Sequence, residues 1–247
     1  MLDRAKGPES GGHIRTVGIL QPGYLPWLGF FEQLHRCDEF VLYDDVQFEK
    51  GSWRNRNRIK TPNGAQWLTV PVLLKGRDFP LIKDVVINPT MTWQKKHVKS
   101  ITQNYSNAPF FELYADGLFA RLNQSWNYLI DLNLELIYWL AEQLNILTPI
   151  RLASSLGIQG SGVQRLVDII DAVNGSHFYE GSAGRNYIDV NVFKKNGISI
   201  TFQDYNHPRY PQMYGDFISH LSIVDLLFNC GPDSLDILTG GRVKGEP

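Results

Sequence analysis

The 247 residues carry 24 basic and 25 acidic side chains, a formal net charge of −1, with 43% hydrophobic and 20% charged residues. That composition sustains a full core and excludes a disordered chain, and the charge balance argues against general binding to nucleic acid, which takes a basic excess to neutralise phosphates. Two cysteines, Cys37 and Cys230, make no disulfide framework and have no zinc-type spacing, so a reducing cytoplasm is expected, and no apolar run reaches the ~18–20 residues that span a bilayer.

Residues 1–13 lack the apolar core of a signal peptide and read as a flexible extension, as do residues 240–247 at the other end. Between them one α/β domain is expected over 14–239, with an insertion at about 62–147. The run Thr16-Val17-Gly18-Ile19-Leu20 suits a buried parallel strand, and the prolines and glycine of residues 21–26 force a turn. A helix over 27–36 and a strand over 39–43 complete a βαβ unit. The insertion reads as antiparallel strands over 65–74 and 81–87, followed by helices over 89–104, 109–122 and 127–145. The parallel pattern returns with strands at 149–153, 177–180 and 198–203 and helices at 163–174 and 190–195. Ser222 is positioned to cap a closing helix through Asn229. The expected fold is therefore α/β, a Rossmann-like parallel sheet with an inserted β-hairpin and a helical layer.

In open parallel sheets ligands bind beyond the carboxyl ends of the strands, and every unusual polar cluster of this chain falls at such an end. Gln21-Pro22-Gly23-Tyr24-Leu25-Pro26-Trp27 opens the first helix, either to face an anion with free N–H groups or to shape the crossover. Asp44-Asp45 offers carboxylates to a hydroxyl, or simply to solvent or a helix cap; no metal site is expected, because no histidine or further acid stands near to complete one. Residues 50–60, KGSWRNRNRIK, hold five cations and no acid. On an extended stretch Arg54, Arg56 and Arg58 share one face and Asn55 and Asn57 the other, suiting a bidentate grip on phosphate or carboxylate as well as a solvated edge strand; the aromatic spacing of RNA-binding modules is absent. Gly181-Ser182-Ala183-Gly184-Arg185 fits either a backbone phosphate cradle or a plain strand–helix connection. His207, its backbone stiffened by the prolines that follow at 208 and 211 and lying at the ligand edge, is the histidine best placed to move a proton near neutral pH, whereas Cys37 at a helix end suits packing.

As a set, these stretches resemble the WbqC-like family of bacterial proteins. The resemblance is carried by ILQPGYLPWLGFFEQL, DDVQF with NRNRIK, PNGAQWLTVPV, YEGSAGRNYID, FQDYNHPRYPQ and FISHLSIVDLLFNCG, which together run from about Thr16 to Leu238. It implies a place among proteins of O-antigen and related surface-polysaccharide synthesis, and with it transfer of glycine or another amino acid to a sugar. The expected reaction is thus aminoacyl or acyl transfer to a nucleotide-activated amino sugar, with no cofactor and an anionic small molecule as partner. His207 is expected as base, oriented by Asp204 or Asp45. Contacts to substrate are expected from Gln21, Tyr24 and Trp27, from Trp53, Asn55, Arg56 and Arg58, from Gly181, Ser182, Gly184, Arg185 and Tyr187, and from Tyr210 and Gln212. Two rivals are a nucleotidyltransferase-like enzyme that activates an amino acid with ATP, and a non-catalytic protein that binds a nucleotide sugar or a partner.

Overall fold

The computed structural model describes residues 14–74 and 80–240; the extension expected over 1–13 and the expected tail beyond Gly240 lie outside them. Five short strands, β1 (Thr16–Leu20), β2 (Glu39–Leu42), β5 (Ile150–Leu152), β6 (His177–Glu180) and β7 (Ser199–Phe202), form one sheet in the order β5-β2-β1-β6-β7, every pair parallel. All five coincide with the expected strands. Between them β3 (Arg56–Thr61) and β4 (Gly64–Thr69) make a separate antiparallel hairpin. The helices are α1 (Leu28–His35), α2 (Trp93–Tyr105), α3 (Phe111–Leu122), α4 (Leu129–Gln143), α5 (Gly162–Ala172), α6 (Val190–Lys195), α7 (Ile223–Cys230) and α8 (Ser234–Leu238).

Alternation along the strands sends apolar side chains to both faces of the sheet. Val17, Ile19, Val41 and Phe178 face one cluster, built with Leu166, Ile169 and Ile170 of α5 and Phe193 of α6. Phe40, Leu42 and Tyr179 face the larger one, built on α1, the hairpin and the helical layer from α2 to α4 with α7 and α8. Gly18 sits on this second face, where a Cβ would stand 2.7 Å from the Phe40 ring.

One part of the insertion differs from expectation. The partner of β4 is the basic stretch itself, Arg56 pairing with Thr69 and Lys60 with Ala65, so that Pro62-Asn63 is the hairpin turn. Residues 81–87 contribute a 3-10 turn, Ile82–Asp84, and isolated bridges such as Val72 to Ile87. A turn signal was read correctly at Pro62-Asn63-Gly64, but a strand so rich in charge does not announce itself as a strand by composition.

The long segment between β7 and α7 has no regular structure and is fastened from inside. The Asp225 carboxylate, fully buried in α7, accepts from the Tyr105 hydroxyl at 2.7 Å, the Tyr210 hydroxyl at 2.9 Å and Gln212 Nε2 at 2.8 Å. Lys60 Nζ, buried beside it, donates to Gln212 Oε1 and to the Asp216 carbonyl. Through these bonds Tyr210 and Gln212 tie the segment to the helical layer and the hairpin. Ser222 caps α7 as expected, its Oγ accepting from Val224 N.

Candidate active site

The strand order reverses between β1 and β6, and their carboxyl ends open a crevice there. A cavity of about 750 Å³ occupies it. Gln21 reaches it from the end of β1, Tyr43 and Asp45 from beyond β2, and Glu180 with Gly181 from β6; Arg54 of the basic stretch and Arg165 of α5 close its sides. A second cavity of about 270 Å³ adjoins it, walled by Trp27, Phe30, Trp53, Asn57 and His220, and the two share Leu20, Gln21 and Arg54.

Glu180 is the last residue of β6 and only 5% exposed. Burial raises its carboxyl to about 7, against the opposing effect of a 3.1 Å hydrogen bond from the Tyr187 hydroxyl. A carboxyl group tuned to that range at the wall of a cleft both accepts and releases protons at neutral pH. Tyr187 is 64% exposed as a residue, and partial desolvation of its hydroxyl together with the Glu180 charge raises it, so it stays a hydrogen-bond donor.

Across the cleft, Asp45 Oδ2 pairs with Arg165 Nη2 at 2.5 Å. The rest of Arg165 is used as well, Nε on the Ile158 carbonyl and Nη1 on the Tyr43 hydroxyl, with its guanidinium 5.0 Å from the Tyr43 ring. Asp45 Oδ1 is buried with no hydrogen-bond partner among the described residues. Its neighbour Asp44 is structural: both oxygens receive Ser154, from N at 2.9 Å and Oγ at 2.6 Å, which ties the β2 loop to the β5 loop. Arg54 differs from both. Its Nε donates to Gln21 Oε1, no carboxylate among the described residues pairs with it, and burial lowers its pKa to about 10.

The expected contact residues divide accordingly. Gln21, Asp45, Gly181 and Tyr187 line the larger cavity, and Gln21, Trp27 and Trp53 the smaller. Tyr24 lies in the core, its hydroxyl 2.8 Å from His97 Nδ1, and Asn55 holds the Val70 carbonyl. Arg56 and Arg58 do share a face of β3, Arg56 stacked 4.2 Å over Trp67 and Arg58 between Trp67 and Trp53; Arg58 lines neither cavity, and its Nη2 donates to the His220 carbonyl. Arg185 covers the Phe202 ring at the outer strand, while Ser182 and Asp204 are exposed outside the two cavities.

His207 lies 5.1 Å from the His220 ring, and the His220 carbonyl accepts from Arg58. Its Nδ1 faces the Pro208 carbonyl at 2.9 Å, which assigns the proton to Nδ1, and its Nε2 accepts from His220 N at 3.1 Å. Both nitrogens are thereby engaged by the backbone. Of these two neighbouring imidazoles, that of His220 lines the smaller cavity, stacked 5.0 Å from Trp27 and held at φ 58.

The expected phosphate cradle is also differently built. Gly184 N donates back to Gly181 O, and a Cβ on Gly184 would lie 2.4 Å from Glu180 Cγ. Glycine is there to let the 3-10 turn Ser182–Asn186 fold over the Glu180 side chain. Gly184→Ala is expected to cost about 1–3 kcal/mol in urea denaturation, as overpacking does, and most of that cost should vanish when Glu180 is shortened to alanine in the same chain.

Sequence reasoning named several of the loops that border these cavities and noted Arg54 and Asn57 in the basic stretch without expecting them to contact a ligand, and it passed over Glu180, Arg165 and His220. Glu180 had a signal, an acid as the last residue of a short apolar strand. Arg54 was expected on one face with Arg56 and Arg58, but it lies in the turn at residues 51–55, before the strand begins.

A doubly wound α/β protein with a polar cleft at the strand-order reversal is the class that fold and site define. Residues 21–237 match the WbqC-like protein family, and the chain belongs to that family. It is 37% identical over 227 residues to the uncharacterized protein Rv1507c of Mycobacterium tuberculosis, covering 91% of this chain and 98% of that one. No solved structure matches the chain. Among the described residues no helix is long and apolar enough to cross a membrane.

Proposed function

We propose that the protein is a transferase of surface-polysaccharide synthesis that passes an aminoacyl or acyl group to the amine of a nucleotide-activated amino sugar. The observation that carries the reading is Glu180, a buried carboxyl tuned to about 7 on the wall of a cleft at the strand-order reversal. A neutral amine that attacks a carbonyl carbon becomes positively charged on nitrogen and must shed a proton as the leaving group departs. Glu180 is the acceptor for that proton, with Tyr187 holding the carboxylate in place. Asp45 Oδ1 takes a second hydrogen-bond donor of the sugar. Arg54 supplies the positive charge for an anionic group of the substrate or the oxygen that gains charge during attack. In this reading Glu180 takes the role expected of His207, whose nitrogens are occupied, and His207 positions the His220 loop.

Isothermal titration with a panel of nucleoside-diphosphate amino sugars tests the reading. At least one is expected to bind, with the same sugar lacking its amine binding more weakly. Absence of binding across the panel, or pyrophosphate release when ATP and an amino acid are added, would replace this reading with the nucleotidyltransferase-like one or with a different ligand altogether.

A further inference from the structure

The two cavities differ in kind, although one wall serves both. Arg54 and Gln21, joined by the hydrogen bond from Nε to Oε1, form that wall. The larger cavity, about 750 Å³, lies within the range of sites that enclose a ligand of nucleotide-sugar size. The smaller, about 270 Å³, falls below that range and has room for roughly nine water-sized groups.

Its lining is apolar on most sides, through Leu20, Pro26, Trp27, Phe30 and Trp53. The polar groups at its edge are largely committed elsewhere. Asn57 Nδ2 donates to the Leu25 carbonyl and its Oδ1 accepts from Arg58 N, and His220 Nδ1 meets Ser219 Oγ. The charge that remains is Arg54, which has no carboxylate partner among the described residues. An apolar chamber closed at one end by a single cation is complementary to a short chain ending in a carboxyl group.

We propose that the smaller cavity binds the acyl end of the donor, a compact carboxyl group activated as a thioester, whose carbonyl oxygen meets Arg54 and whose chain lies against Trp27, Phe30 and Trp53; the new carbon–nitrogen bond replaces the carbon–sulfur bond, and the thiol departs. The amino sugar then occupies the larger cavity and meets the acyl carbon at the shared wall. Calling the occupant a donor rests on the transferase reading; its chemistry as a compact carboxylate rests on the cavity alone.

Titration of the full chain with sodium acetate, butyrate, hexanoate and decanoate, each beside the matching alcohol, tests this. Affinity is expected to rise from acetate to hexanoate and to fall at decanoate. Arg54→Gln should weaken hexanoate about tenfold or more while leaving hexanol unchanged, the scale of one charged hydrogen bond. Its melting temperature should hold, since the arginine is desolvated without an ion partner. Trp53→Ala, at an indole already 43% exposed and therefore safe for folding, should move the preferred length toward decanoate. No saturable carboxylate binding, binding indifferent to Arg54→Gln, or absence of a length limit would each overturn the assignment. A clear length limit in a protein that binds no nucleotide sugar supports the cavity and sinks the transferase reading. Sugar binding without carboxylate selection overturns this inference alone.

Discussion

Glu180→Gln is expected to lower turnover by about 10²- to 10⁴-fold, the usual worth of a positioned general base, while nucleotide-sugar affinity stays within about threefold. The amide still accepts the Tyr187 hydrogen bond, so the cleft keeps its shape and loses only its proton acceptor. The wild-type rate should climb as pH rises through about 7 and the carboxyl ionises; that limb should be missing in the variant. The same substitution has a stability signature of opposite sense. The folded-state value of about 7 exceeds the ordinary 4.5, so folding holds the proton more tightly than the unfolded chain does. Wild-type stability is therefore undiminished below about pH 4.5, declines as pH rises through 7, and is flat beyond. The variant escapes that decline and should be more stable than wild type at pH 8, by up to about 3 kcal/mol, with no gap at pH 4. Urea denaturation at the two pH values measures the difference; equal stability at pH 8 would mean that Glu180 is not desolvated.

Asp225→Ala should be the most destabilising single change among those considered, at about 3–5 kcal/mol. It strands two buried tyrosine hydroxyls, takes one acceptor from the half-buried Gln212 amide, and removes the acceptor side of a network that also holds the Lys60 ammonium. Asp225→Asn keeps one acceptor oxygen and should cost less. The two can be ranked by urea midpoints. Because the network anchors the segment that carries His207 and His220, the alanine variant should also lose the smaller cavity before it unfolds globally.

Much of the fold was legible because its rules are local or topological. Short apolar runs ended by proline, glycine or polar clusters gave all five parallel strands, and the carboxyl-edge rule then placed Gln21, Asp45, Gly181 and Tyr187 on one cleft. The hairpin was half legible, since alternation predicted the shared face of Arg56 and Arg58 but not that this charged stretch pairs with β4. What escaped depends on contacts distant in sequence. Nothing near His207 says that Pro208 and His220 will claim both its nitrogens, and nothing near Glu180 says how deeply it is buried. Arg165 looks like any helix-surface arginine until Asp45 and Tyr43 arrive from another strand. Burial and hydrogen-bond partners belong to the assembled molecule, and they, more than residue type, decide which acid or base is free to act.

The central position of β1 has a consequence for how the chain comes into being. One of its edges is satisfied early by β2, but the other waits for β6, which begins only at His177. At ordinary ribosomal speeds that interval lasts on the order of ten seconds. Throughout it, the nascent chain offers the unpaired edge of Val17-Gly18-Ile19 to any passing strand. The reversal that creates the cleft thus also sets the moment at which the newborn protein is most exposed to mispairing, and the cleft cannot exist until that moment has passed.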